Sequence, residues 1–194
     1  MAAQFVENVT EQAKLCIEER TTFAGFLLTP LFSGMIVAYL TRNDVIGWYQ
    51  RVNKPSFTPP DYAFGPVWTV LYLMMGYAAF LVYEATKVTS TIPVLCIILF
   101  VLQFVLNQTF SLLFFKARRW DLSMIDLAVL WLCIPACIAA FLKVNTQAGF
   151  LLFPYWAFVS YAAVLNFAFI RENPNLESDL KKSDKTEKVE EKMS

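Results

Sequence analysis

Five uninterrupted apolar runs dominate the chain, over residues 22–40, 64–83, 92–115, 122–142 and 149–170. Among them they hold one charged side chain, Asp126. A bilayer core about 30 Å thick needs roughly 20 helical residues rising about 1.5 Å each, and every run meets that length. The runs are continuously apolar, whereas strands of a membrane barrel alternate, and backbone polar groups in lipid must pair within their own segment. The pattern predicts an all-α integral membrane protein, a five-transmembrane-helix up-and-down bundle. Connections are short apart from 41–63, so residues 22–170 form one transmembrane domain. Residues 1–21 make a separate N-terminal segment, in which Phe5, Val9, Leu15 and Ile17 suggest a short helix lying on the membrane surface. Residues 171–194, rich in charge, read as a solvated, disordered tail.

Composition agrees and narrows the chemistry. The chain is 57% hydrophobic, 16% aromatic and 16% charged, a shift toward lipid from the roughly 25% charge of a soluble domain. It contains no His, which excludes His-dependent triads, His metal sites and a His-ligated haem iron. Cys16, Cys96, Cys133 and Cys137 form no CxxC pair; three lie in apolar runs, and Cys133 and Cys137, four apart on one helix face, read as small buried hydrophobes. No nucleophile–base set, Gly-rich phosphate loop or metal cluster is legible, so neither catalytic residues nor a cofactor are expected. Acidic and basic residues balance at 16 each, and no nucleic-acid partner is expected.

Basic residues do set an orientation. Five crossings put Lys14, Arg20, Lys87 and Lys143 on one side and the remaining 12 of 16 bases on the other. The second side, with the C-terminus, is expected to face the cytosol. Glu7, Glu11, Glu18 and Glu19 contradict a signal peptide. Asn8-Val9-Thr10 is a glycosylation sequon, usable where that end enters a secretory lumen.

The long connection carries Trp48-Tyr49 and then Lys54-Pro55-Ser56-Phe57-Thr58-Pro59-Pro60. Three prolines fix φ and hold their predecessors extended, which makes a stiff aromatic strap. It reads either as an interfacial anchor or as a lid over a bundle cavity. Helix 2 opens around Pro66, suited to a first turn, and Trp68, Tyr72, Met75 and Tyr83 follow at helical spacing. That stripe is either packing or a stacking wall for a flat ligand. Gln103 and Asn107, then Ser111, must face protein or a polar cavity, because unsatisfied amides in hydrocarbon are costly. Asp126 lies near Lys116, Arg118 and Arg119, which predicts a salt bridge. Asn166 reads as a helix-contact residue.

These residues resemble a known signature. Trp48-Tyr49, Lys54-Pro55-Ser56-Phe57, Pro59-Pro60, Phe64-Gly65-Pro66-Val67-Trp68-Thr69, Leu71-Tyr72 and Met75-Gly76 together are similar to the motif of the translocator protein family, also called the tryptophan-rich sensory protein or peripheral-type benzodiazepine receptor family. Gln103, Asn107, Phe110-Ser111 and Phe114-Phe115 resemble its third-helix motif; Pro154-Tyr155, Phe158, Tyr161-Ala162 and Leu165-Asn166 resemble its fifth. The resemblance implies a pocket opening toward the connection between helices 1 and 2, which takes porphyrins, sterols and benzodiazepine-type ligands. Carried over by motif, the ligand-binding residues would be Tyr49, Pro59, Phe64, Trp68, Tyr72, Asn107, Phe110, Phe158 and Ala162. It further implies the mitochondrial outer membrane, with endoplasmic reticulum and plasma membrane as alternatives, and leaves a homodimer open.

The chain departs from the family pattern at three positions. Phe110 and Phe158 stand where many members have Trp, and Phe167 replaces the Tyr of the sterol-recognition pattern before Arg171. The lead expectation is a protein that binds, and transports, tetrapyrroles or sterols. The alternatives are a light-dependent porphyrin-degrading enzyme, which would lose oxidisable indoles here, and a membrane scaffold recruiting other proteins.

Overall fold

The computed structural model describes residues 2–89 and 93–174. Within them the chain forms α1 (Ala2–Ile46), α2 (Asp61–Thr89), α3 (Val94–Ser111), α4 (Trp120–Val144), α5 (Thr146–Phe150) and α6 (Phe153–Glu172). A 3-10 turn covers Trp48–Gln50 and a π-helical turn, Leu112–Lys116, prolongs α3. No strand occurs among the described residues, and five helical stretches are long and apolar enough to cross a membrane, the fifth being α5 with α6. Of the tail expected over 171–194, Arg171 and Glu172 instead complete the last turn of α6, and the part beyond residue 174 lies outside the described residues.

Helix ends overrun the apolar runs, for identifiable reasons. Residues 2–21 contain neither Gly nor Pro, so α1 has nothing to stop it where polarity rises, and it is continuous over 45 residues instead of breaking near residue 21. α2 starts at Asp61, which puts Pro66 inside the helix and not in its first turn. The fifth span breaks at Leu151-Leu152. Pro154 has no N–H for the Phe150 carbonyl and its ring crowds that group, so α5 ends at Phe150 and α6 begins beside the proline. The Asn145 side chain accepts from the Ala148 N–H at 3.0 Å and caps α5.

The helices close into a ring. α1 packs along α2; α2 meets α5, and α6 through Trp68; α4 packs on α5, α6 and α3; the π turn and α3 return to α1. Pro30 and Gly76 fit one another across the α1–α2 seam. Pro30 cannot donate to the Phe26 carbonyl, and the direction a β-carbon would take from Gly76 leads to that oxygen at 2.4 Å. Only a hydrogen fits there. The main core joins Met75, Ala78, Leu130, Ile134, Cys137 and Tyr155 between α2, α4 and α6.

Candidate functional site

The second core cluster lies at the strap end of the bundle. Trp48, which is 2% exposed, and Tyr49 are packed with Phe114 and Phe169, flanked by Phe115 and Trp120. The Trp48 indole N–H donates to the Phe115 carbonyl at 3.2 Å. That carbonyl belongs to the π turn, whose i→i+5 bonding widens the turn and re-aims main-chain groups. An interfacial anchor would leave Trp48 at the headgroups; burial in this aromatic box makes it a plug.

The strap is stitched down at both ends. The Tyr161 hydroxyl donates to the Phe57 carbonyl at 2.9 Å. Asn173, at the end of α6, accepts from the Asn53 N–H at 3.1 Å and donates to the Asn53 carbonyl at 2.8 Å. Lys54 pairs with Asp61 at 3.2 Å, Asp61 also accepts from Gln50, and the Lys54 ammonium sits 4.3 Å from the Tyr49 ring centre. Burial first, and the Asp61 carboxylate second, push the Tyr49 hydroxyl up to about 12.

Under the strap is a cavity of about 470 Å³. Gly34, Met35, Ala38, Thr41, Arg42 and Val45 form the α1 wall; Tyr49, Pro55 and Thr58 form the roof. α2 contributes Asp61, Phe64, Trp68 and Tyr72, the α3 end Phe110, Phe114 and Phe115, and α6 Phe158, Ala162, Leu165, Asn166 and Phe169. The edge positions Met35 and Ile46 on α1, and Gly65 and Thr69 on α2, are exposed. The cavity therefore communicates with the outside between these two helices. Below it, α1 and α2 close: a β-carbon on Gly34 would fall 2.2 Å from the Tyr72 ring.

Seven of the nine residues expected at a ligand site thus share one cavity wall: Tyr49, Phe64, Trp68, Tyr72, Phe110, Phe158 and Ala162. Pro59 is not on it; Pro55 and Thr58 face the cavity from the same strap. Asn107 lies behind it, 4% exposed, accepting from the Tyr72 hydroxyl at 2.9 Å. That hydroxyl also reaches Gln108 at 3.4 Å, and Gln108 donates to Ser33 at 2.8 Å. The ladder Ser33–Gln108–Tyr72–Asn107 ties α1, α3 and α2 together and fixes the Tyr72 ring. Trp68 is held by rings on either side, 5.4 Å from Tyr72 and 5.3 Å from Phe158 between centres.

The sequence reading missed the α1 wall, although Gly34, Ala38 and Arg42 recur every fourth residue and share a helix face. The expected Asp126 salt bridge is not formed. Lys116 and Arg118 lie 3.5 and 3.8 Å from Asp44, Arg119 pairs with Asp121 at 3.0 Å, and Asp126 is buried with one carboxylate oxygen unpartnered. The long α1 carries Asp44 past the apolar run to the α3–α4 turn, nearer these bases. Gln103 faces protein, as expected, at 1% exposure, but neither of its amide atoms is partnered. Asn166 does contact α4, donating to Ser123 at 3.4 Å.

Residues 26–171 match the TspO/MBR family model. The chain is similar to "Tryptophan-rich protein TspO" of Chlorobaculum tepidum, 37% identical over 150 residues that cover 77% of this chain and 92% of the relative. It is also similar to "Translocator protein" of Sus scrofa, 33% identical over 153 residues, 77% and 88%. "Protein CrtK" of Rhodobacter capsulatus is 32% identical over 154 residues, 79% and 94%.

Proposed function

The chain belongs to the TspO/MBR family, and on that footing we propose that it binds a bulky apolar ligand of the porphyrin or sterol class beneath the strap and passes it within the membrane. The observation that carries this reading is the roofed apolar cavity, walled by Trp68, Tyr72, Phe110 and Phe158. Apolar and aromatic walls with a few polar groups are the usual make-up of a small-molecule site, and the tilted and edge-on rings suit a flat conjugated molecule. Relatives named for translocation and for sensing support a binding and transfer role over catalysis. Trp68 is the one indole on the wall, which leaves little oxidisable surface for porphyrin degradation.

The uneven Lys/Arg distribution supports a cytosolic C-terminus, and we place the protein in the mitochondrial outer membrane, with endoplasmic reticulum and plasma membrane as alternatives.

The test is titration of detergent-purified protein with protoporphyrin, read from the pigment's own absorbance so that lost indoles do not confuse it. Wild type should saturate. Phe158→Ala and Trp68→Ala should each weaken binding about tenfold or more, while Leu132→Ala, on the outer face, should not. Absence of saturable binding, or equal affinity in all four proteins, rejects the cavity as the site.

A further inference from the structure

Two residues on the cavity wall carry charge, Arg42 and Asp61, and they are not equivalent. Asp61 is neutralised by Lys54 at 3.2 Å and accepts from Gln50. Arg42 makes no ion pair among the described residues. Three bases of the nearby α3–α4 turn are engaged, Lys116 and Arg118 by Asp44 and Arg119 by Asp121. The wall thus carries one uncompensated positive charge, on the exposed edge of α1 beside the opening toward α2.

A guanidinium stays protonated at any working pH and presents paired N–H donors that match a carboxylate. Beside apolar walls, an ion pair is screened less than in open water. A molecule whose apolar body fills the aromatic interior would bring its edge to Arg42. A neutral edge there leaves the cation to water; an anionic edge gives it the partner the protein withholds.

We propose that Arg42 is the anion-recognition residue of this cavity, so that the ligand class is an apolar molecule bearing a carboxylate at one edge. This rests on the ligand-binding reading above and deepens it, favouring acidic tetrapyrroles and similar amphiphilic acids over neutral sterols. A lipid headgroup phosphate offers the same chemistry, and the experiment separates the two.

Protoporphyrin IX and its dimethyl ester share one ring system and differ in charge at the edge. In dodecyl maltoside, wild type should bind the diacid about tenfold or more tighter than the diester, the range expected for a charge-assisted hydrogen bond. Arg42→Gln should bring the diacid down to the diester's affinity and leave the diester unchanged, which also shows that the variant is folded. Arg42→Lys should recover part of the preference. Equal affinity of wild type for diacid and diester, or equal losses for both in Arg42→Gln, would overturn the assignment while the cavity itself stood. Binding of neither porphyrin would remove the cavity reading and this one with it. Displacement of the diacid but not the diester by phosphatidylglycerol would give Arg42 to a lipid headgroup, and so overturn the assignment to a free acid.

Discussion

The Trp48 indole N–H meets the Phe115 carbonyl at 3.2 Å, joining the strap to the π turn that ends α3. The ring touches Tyr49, Phe114, Phe115, Trp120 and Phe169 at centre separations of 5.7 to 6.5 Å. Strap, α3 and α6 therefore share one plug, and the roof of the cavity depends on it. Trp48→Phe keeps a ring but loses the donor, leaving a part-buried carbonyl short of one partner; about 1 kcal/mol should be lost. Trp48→Ala should cost about 3–5 kcal/mol. Thermal unfolding in detergent reads both, and equal, negligible shifts would show that the plug is dispensable.

Three glycines separate packing from conformational freedom. Gly76→Ala must push against the backbone of Phe26 and Leu27, which cannot yield locally, so a loss of about 1–3 kcal/mol is expected. Gly34→Ala meets a side chain, the Tyr72 ring, and should turn that ring and weaken ligand affinity more than stability. Gly65→Ala meets nothing within 4 Å beyond its chain neighbours, but a β-carbon on a helical residue before a proline is crowded by the Pro66 ring, so a loss smaller than that of Gly76→Ala is expected. Melting temperatures set beside binding constants for the three variants test that order, and a Gly76→Ala protein as stable as Gly65→Ala would contradict the seam geometry.

The Tyr72–Asn107 bond is suited to a double-mutant cycle. Tyr72→Phe and Asn107→Leu, singly and together, should give a coupling of about 0.6–1.7 kcal/mol, the range for hydrogen bonds between membrane helices. Additive effects would mean that the 2.9 Å contact contributes nothing to stability.

Tyr49 gives a prediction at alkaline pH. Unfolded, its phenol ionises near the ordinary value of 10.0; folded, it holds its proton to about 12. Between those values the unfolded chain binds fewer protons than the folded one, so stability falls as pH rises from about 10 to about 12 and is untouched by this group below. The phenolate absorbance difference between wild type and Tyr49→Phe should appear near pH 12. A step near pH 10 would mean the hydroxyl is open to water.

Much of this architecture was legible because lipid imposes length and uniform polarity on a crossing helix. The strap stood out for a related reason: three prolines and a Trp-Tyr pair in a connection need an explanation. What hydropathy conceals is partner choice. Trp48 reads equally well at a headgroup or in a plug until Phe115 and Phe169 are known to stand beside it. Asp126 seemed destined for Lys116 and Arg118 because they are near in sequence, whereas Asp44, more than seventy residues from them, is near in space. The π turn is invisible for another reason, since Leu112–Phe115 is apolar whichever way the backbone winds. Gly34 and Ala38 looked like filler on α1 because a cavity wall can be built from what side chains lack.

At about 1.5 Å per residue, the 45 residues of α1 reach about 68 Å, over twice the depth of hydrocarbon they need to cross. The surplus forms a mast at the end away from the strap, and Cys16 stands on it as the one exposed thiol of the four. The protein thus carries its own single attachment point for a maleimide dye. A label there reports which face of a sealed vesicle the mast occupies, with no cysteine to add or remove.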